Sequence, residues 1–144
     1  MLQRRSFLTA VVVGTAGALA AGPRTARAAE PITVTAKLVE IPAKFPPDDL
    51  YDYAFVMRYE VIGGPMDKQS ILVAHYKPRQ PRSKIKPPMK EHVGGKLRSF
   101  VQGDVHKLKL DPALKSVFTG ALIDEFAATD RKSVRYWCLE VDPA

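Results

Sequence analysis

The chain has 144 residues, a formal net charge of +7 at pH 7 and a single cysteine. The lone cysteine excludes an internal disulfide and any metal site built from several thiolates. The sequence holds no Gly-x-Ser-x-Gly nucleophile motif, no glycine-rich phosphate loop and no Cys-x-x-Cys pair. These absences exclude the common hydrolase, nucleotide-binding and dithiol redox signatures.

The first 28 residues have the three parts of a secretory signal. A basic start at Arg4 and Arg5 precedes a run of apolar and small residues over 10–21, and Ala26 to Ala28 form an A-x-A ending. The apolar run is much shorter than the roughly 20 residues that cross a bilayer as a helix. We therefore expect cleavage after Ala28 rather than a permanent anchor, and a mature domain over 29–144.

The export route has two candidate forms. The run Arg4-Arg5-Ser6-Phe7-Leu8 matches the twin-arginine pattern, but ordinary secretory signals also carry two arginines by chance. No cysteine stands at the cleavage site, so a lipoprotein anchor is not expected. Either route predicts a periplasmic or secreted protein without a membrane span after cleavage.

The positive charge of the mature chain is concentrated in one stretch. Removal of Arg4, Arg5, Arg24 and Arg27 leaves 18 basic and 15 acidic residues, so the high overall charge is weak evidence for nucleic-acid binding. Residues 77–90 hold six basic residues, four prolines and no acid. This density of proline excludes a regular helix or central strand and predicts an exposed basic loop.

Alternation of apolar and polar residues predicts mainly strands. These strands cover residues 32–41, 51–62, 69–76, 105–110 and 134–141, with a short one at 96–101. In 51–62 the face expected to meet the core carries Tyr51, Tyr53, Phe55, Met57, Tyr59 and Val61. In 134–141 one face is expected to carry Arg135, Trp137, Leu139 and Val141. One or two helical turns are expected over 113–118, and apolar residues over 122–126 have helical spacing. The fold class is therefore mainly β: a small five- to six-stranded OB-like barrel with one short helix. A two-sheet β-sandwich is the alternative.

The candidate chemical residues are few. His75 and His106 lie in predicted strands beside apolar neighbours, which is typical of structural histidines, and the histidine spacing does not match a metal site. Cys138 beside Trp137 is expected to be a buried, inert thiol. We therefore expect no catalytic residue, no metal and no cofactor.

The candidate binding residues come from the basic stretch. An exposed cationic loop suits an anionic partner, although a merely solvated loop has the same composition. The proposed electrostatic contacts are Lys77, Arg79, Arg82, Lys84 and Lys86. The neighbouring His75, Tyr76 and Trp137 are weaker candidates for the edge of a ligand face.

Two stretches resemble small exported OB-like domains of bacteria. One is 51–61 followed by 71–76; the other joins Gly103, residues 106–112 and 122–126, and Tyr136. Some domains of this kind are linked to alginate-type polysaccharide acetylation machinery. The resemblance implies a barrel fold and carries over no catalytic residue, and the basic stretch looks specific to this chain.

The leading functional hypothesis is a non-catalytic exported accessory domain. It would dock on an envelope protein complex or an anionic glycan, with no nucleic-acid partner. A small subunit of an exported redox enzyme complex is one alternative, and an enzyme acting on surface polysaccharide is another.

Overall fold

The computed structural model describes residues 30–47 and 51–144. The predicted signal and its cleavage point after Ala28 lie outside these residues. The strands of the described part are β1 (Ile32–Glu40), β2 (Tyr53–Val61), β3 (Ser70–Tyr76), β4 (Gly94–Gly95), β5 (Val105–Asp111), β6 (Ala121–Ile123) and β7 (Arg135–Pro143). The helical elements are α1 (Leu114–Val117) and two 3₁₀ turns, Arg82–Lys84 and Met89–Glu91.

The seven described strands form one sheet that closes on itself. Five of them make a ring in the order β1–β5–β7–β3–β2, which returns to β1 through pairing of Ala36 with Val61. Neighbours in this ring are antiparallel except β3 and β7, which are parallel. The expected small mainly-β barrel is therefore confirmed, whereas a two-sheet sandwich does not describe this single closed sheet.

Two short strands pair with the parts of β2 and β7 that extend beyond the ring. β6 pairs with the first three residues of β2, while β1 pairs with the last four on the same side. In the same way, β4 pairs with β7 beyond the stretch that β7 shares with β3. The two additional strands raise the count above the five or six expected, but the ring itself has five.

The barrel interior is filled by the aromatic face of β2. Tyr53, Phe55, Met57 and Tyr59 are at most 1% exposed and belong to one apolar cluster with side chains of β1, β3 and β5. This is the face that the alternation of β2 assigns to the core. The predicted face is therefore confirmed within β2, whereas Tyr51, which precedes the strand, is 47% exposed.

A second apolar layer covers the outside of β2 and β3. The outward residues of these strands and Trp137 of β7 pack against the loops around α1 and against Ile85 and Val93. Both faces of β2 and β3 are thus buried. This explains why apolar residues follow one another along these strands instead of alternating with polar ones. Ile85 belongs to the basic stretch, so this stretch is packed against the barrel rather than free of it.

Three local expectations differ from the structure. Residues 96–101 form no strand. The preceding residues, Gly94–Gly95, pair with β7 instead. Residues 121–123 form β6 rather than a helix, because they pair with β2. In β7, Leu110 faces Cys138 and Lys109 faces Glu140, so Leu139 is an extra residue in a bulge and the alternation shifts there.

The pairing of β4 with β7 requires glycine at position 95. Gly95 has a φ of +105°, and a Cβ built on it would lie 2.1 Å from the Val141 carbonyl oxygen. Gly103 has a similar φ of +101° with open space around it. A side chain at position 103 would therefore meet backbone strain alone, whereas one at position 95 would meet the same strain and a steric clash.

We expect Gly103→Ala to lower the free energy of unfolding by about 1–3 kcal/mol, the usual cost of a non-glycine residue in a strained backbone region. Gly95→Ala should cost clearly more, because the clash with the β7 backbone adds to the same strain. Urea unfolding of both variants measures the difference. Equal losses would contradict the close approach of β4 to β7.

Candidate functional site

The basic stretch folds around one concave surface. Its first residue, Lys77, directly follows β3 and has a left-handed φ of +37°, which is uncommon for a residue other than glycine. The backbone then turns, with Gln80 N–H donating to the Lys77 carbonyl at 3.0 Å. This turn brings the stretch back over the end of β3, where it meets the residue that precedes β2, Asp52.

We call the resulting concavity the cleft. It has a volume of about 280 Å³ and is lined by Asp52, Tyr76, Lys77, Gln80, Lys86, Pro87 and Pro88. Two lysines, one carboxylate, a phenol and an amide therefore converge on one small surface. Two of the lysines proposed as binding residues, Lys77 and Lys86, lie here together.

Asp52 is the anionic centre of the cleft. Its carboxylate accepts a hydrogen bond from the Tyr76 hydroxyl at 2.9 Å and lies 3.2 Å from Lys77 Nζ. The bond from Tyr76 and then the contact with Lys77 lower the pKa of Asp52, so the carboxylate is ionised at neutral pH. Lys77 also lies 5.7 Å from the centre of the Tyr76 ring. The cleft thus combines fixed positive charge with a hydrogen-bond acceptor.

The structure places the predicted binding residues in three different environments. Arg79, Lys84 and Lys86 are exposed, and Lys77 is partly buried in the cleft wall. Tyr76 is 7% exposed but its hydroxyl reaches the cleft through Asp52. These residues remain candidates for contact with an anionic ligand.

Arg82, His75 and Trp137 require correction, because they lie inside the molecule. Arg82 is 4% exposed, and its guanidinium Nη2 donates to the carbonyls of Tyr76, Lys77 and Gln80 at 2.7, 2.8 and 3.0 Å. His75 and Trp137 are fully buried. Arg82 therefore holds the cleft backbone in place rather than offering its charge to a partner, and His75 and Trp137 do not form a ligand face.

A buried polar cluster lies within the barrel, and no pattern in the sequence predicts it. The Tyr59 hydroxyl lies 2.9 Å from His75 Nε2 and 3.0 Å from His106 Nδ1. The Phe100 ring packs against both imidazoles, with its centre 4.4 Å from that of His75 and 5.8 Å from that of His106. We call Tyr59, His75, His106 and Phe100 the histidine cluster.

Burial favours the uncharged form of every titratable group in the cluster. Burial lowers the pKa of both histidines and raises that of Tyr59, so the uncharged form of each is favoured. Because a phenol donates one hydrogen bond, Tyr59 donates to one imidazole and accepts an N–H from the other. His75 Nδ1 and His106 Nε2 then have no partner among the described residues, and one of these atoms is a donor and the other an acceptor.

Neither the histidine cluster nor the adjacent Cys138 has the form of a hydrolytic site. Cys138 is buried, its thiol lies 3.3 Å from the Glu140 carbonyl, and burial raises its pKa well above the usual range. A thiol that stays protonated is a poor nucleophile. His75 and His106 are at most 1% exposed, so a polymer chain on the surface does not reach them. The described residues contain no group of three or more histidine, cysteine or acidic side chains placed to hold a metal ion.

Comparisons with family models, with curated proteins and with solved structures find no match to this chain. The resemblance to small exported OB-like domains therefore stays an expectation. No helix in the described part of the chain is long and apolar enough to cross a membrane.

Tyr59→Phe tests the central hydrogen bonds of the histidine cluster. Loss of the hydroxyl leaves both imidazoles buried without their partner, so the free energy of unfolding should fall by about 2 kcal/mol or more. Tyr51→Phe is the matched control, because Tyr51 is 47% exposed and should change stability by less than about 0.5 kcal/mol. Urea unfolding at pH 7.5 measures both variants, and equal stabilities would contradict a structural role for the Tyr59 hydroxyl.

Proposed function

We propose that the mature chain is an exported, non-catalytic domain that binds an anionic glycan in the cleft. The observation that carries this proposal is the convergence of Lys77 and Lys86 with the ionised Asp52 around one concavity. Lysine ammonium groups pair with the acidic group of a sugar unit, and a carboxylate accepts hydrogen bonds from sugar hydroxyls. A ligand with both an acid and hydroxyls uses both parts of the cleft.

The rest of the basic stretch supports a polymeric ligand. Arg79, Lys84 and Lys90 are exposed on the same stretch, outside the residues that line the cleft. A chain with repeated negative charges contacts such residues weakly and additively, while one of its units occupies the cleft. Affinity should therefore fall as salt rises.

The cleft is preorganised rather than formed by mobile side chains. Arg82 bonds the carbonyls of Tyr76, Lys77 and Gln80, so the backbone of three cleft residues is tied to one buried cation. The Lys77 side chain is only 16% exposed and is held against Asp52. A binding site of this kind loses little side-chain entropy when its ligand arrives.

Replacement of the two cleft lysines tests the charge contacts. Lys77→Met and Lys86→Met should each weaken binding of an oligogalacturonate by about fivefold, since a partly exposed charge pair contributes about 1 kcal/mol. Lys107→Met, an exposed lysine on β5, is the control and should leave affinity unchanged. Isothermal titration calorimetry in low salt measures all three variants, and a neutral maltooligosaccharide should not bind.

Asp52→Asn distinguishes a glycan from a simple anion. If Asp52 accepts sugar hydroxyls, the variant should bind the oligogalacturonate more weakly; if the cleft recognises charge alone, loss of the carboxylate should strengthen binding. Stronger binding by Asp52→Asn, or equal binding by the two lysine variants and Lys107→Met, would overturn the proposed site.

A further inference from the structure

The anchor of the cleft lies next to the histidine cluster. The Arg82 Cζ atom is 5.3 Å from the centre of the Phe100 ring, which in turn packs against His75. The Arg82 backbone N–H donates to the Leu97 carbonyl at 3.0 Å, so the basic stretch is fixed to the same segment that carries Phe100. The barrel interior and the cleft backbone therefore meet at Arg82 and Phe100.

The charged and titratable groups around the histidine cluster come from four elements and one loop. Arg82 of the basic stretch, His106 of β5 and Tyr59 of β2 act on or contact His75, whereas Cys138 of β7 acts on Tyr59 and Asp104, just before β5, acts on His106. Of these groups, Arg82 is the buried cation: burial first, then Arg82 and then His106 lower the pKa of His75. Asp104 acts on His106 and partly offsets the effect of burial there.

A proton on His75 would place a second positive charge beside Arg82. The charged imidazole has no carboxylate partner within the histidine cluster, and its environment is closed by Phe100. An isolated charge in such a place is strongly unfavourable. The repulsion is relieved only if the segment that covers His75 moves and admits water.

We propose that protonation of His75 releases the basic stretch and Phe100 from the end of the barrel. The structure then has a closed form with neutral histidines and an open form in which His75 is hydrated and charged. This inference rests on the proposed function in one respect: the open form lacks the ordered cleft, so acid should also weaken glycan binding.

The direction and size of the effect follow from linkage. In the closed form the pKa of His75 is depressed, whereas in the open form it returns to about 6.5. The open form therefore binds more protons below that pH, and its population rises as pH falls. At pH 5.0 one exposed histidine gives about 30-fold more open form than at pH 7.5.

Amide hydrogen exchange of the mature chain tests the release without any ligand. The Arg82 N–H, bonded to Leu97, should lose protection by about 30-fold between pH 7.5 and pH 5.0, after correction for the intrinsic exchange rate. Amides that join β2 to β3 should keep their protection. An equal loss at both places would show global unfolding and overturn the proposal.

Matched variants identify the titrating group. In His75→Gln the side-chain amide still meets Tyr59 but does not titrate, so the Arg82 N–H should lose less than about threefold protection. His92→Gln removes an exposed histidine and should behave like the unaltered chain. If the acid response persists in His75→Gln and vanishes in His106→Asn, His106 is the trigger and the assignment to His75 is wrong.

A measurement on the unaltered chain covers the case in which His75→Gln does not fold. The NMR titration of the His75 ring should coincide with the loss of protection at the Arg82 amide. Titration of His75 near pH 6.5 while that amide stays protected would overturn the proposal.

A sulfated dextran oligosaccharide tests the link to the cleft, because its charge does not change between pH 5.0 and 7.5. Its affinity should fall with the opening measured by exchange. If it binds at neither pH while the acid response of the amide persists, the proposed function fails and the release stands. If binding weakens in acid without any opening, the release is wrong.

Discussion

One buried guanidinium organises the part of this molecule that departs from a simple barrel. Arg82 is surrounded by carbonyl groups of the residues that follow β3, and these bonds give a stretch with four prolines a fixed path. Burial of the charge is tolerated because three carbonyl dipoles replace water around it. This contact adds to the hydrogen bonds that Gln80 N–H donates to the Lys77 carbonyl and that Lys77 N–H donates to the Tyr53 carbonyl, and together they hold Lys77 in its left-handed conformation beside Asp52.

The histidine cluster follows a different principle, in which polar groups are buried with too few partners. Tyr59 satisfies one nitrogen of each imidazole, and the Phe100 ring packs against both imidazoles. Buried polar groups of this kind cost stability unless every one of them is bonded. Their presence within an otherwise apolar interior is the reason to assign them a role beyond packing.

The alternation of side chains predicted the five long strands and the inward face of β2, because that pattern depends only on local backbone geometry. It did not predict the bulge at Leu139, since a bulge is defined by how the partner strand pairs. The same alternation gives no indication that Tyr59, His75 and His106 form a group. None of the three is opposite another in the strand register, so they meet across the barrel interior and not along a pattern that the sequence displays.

Arg82 illustrates the same limit at a single residue. In the sequence it is one of six cations in a proline-rich stretch, and composition alone treats all six as exposed. The turn after Lys77 and the hydrogen bond from the Arg82 N–H to the Leu97 carbonyl place this residue against the barrel. The cleft likewise depends on residues from two places, Asp52 and the stretch after β3, which the register of β2 with β3 brings together.

The way in which β2 and β7 share their edges has a consequence for self-association. Each of these strands is flanked by two partners on one side and by a long neighbour on the other, so few of their amides are offered to a foreign strand. Strand edges that are already occupied are poor templates for intermolecular sheet growth. By pairing with β2 and β7, the short strands β4 and β6 therefore limit the addition of strands from other molecules. The barrel has no disulfide cross-links, so this protection comes from hydrogen bonding alone.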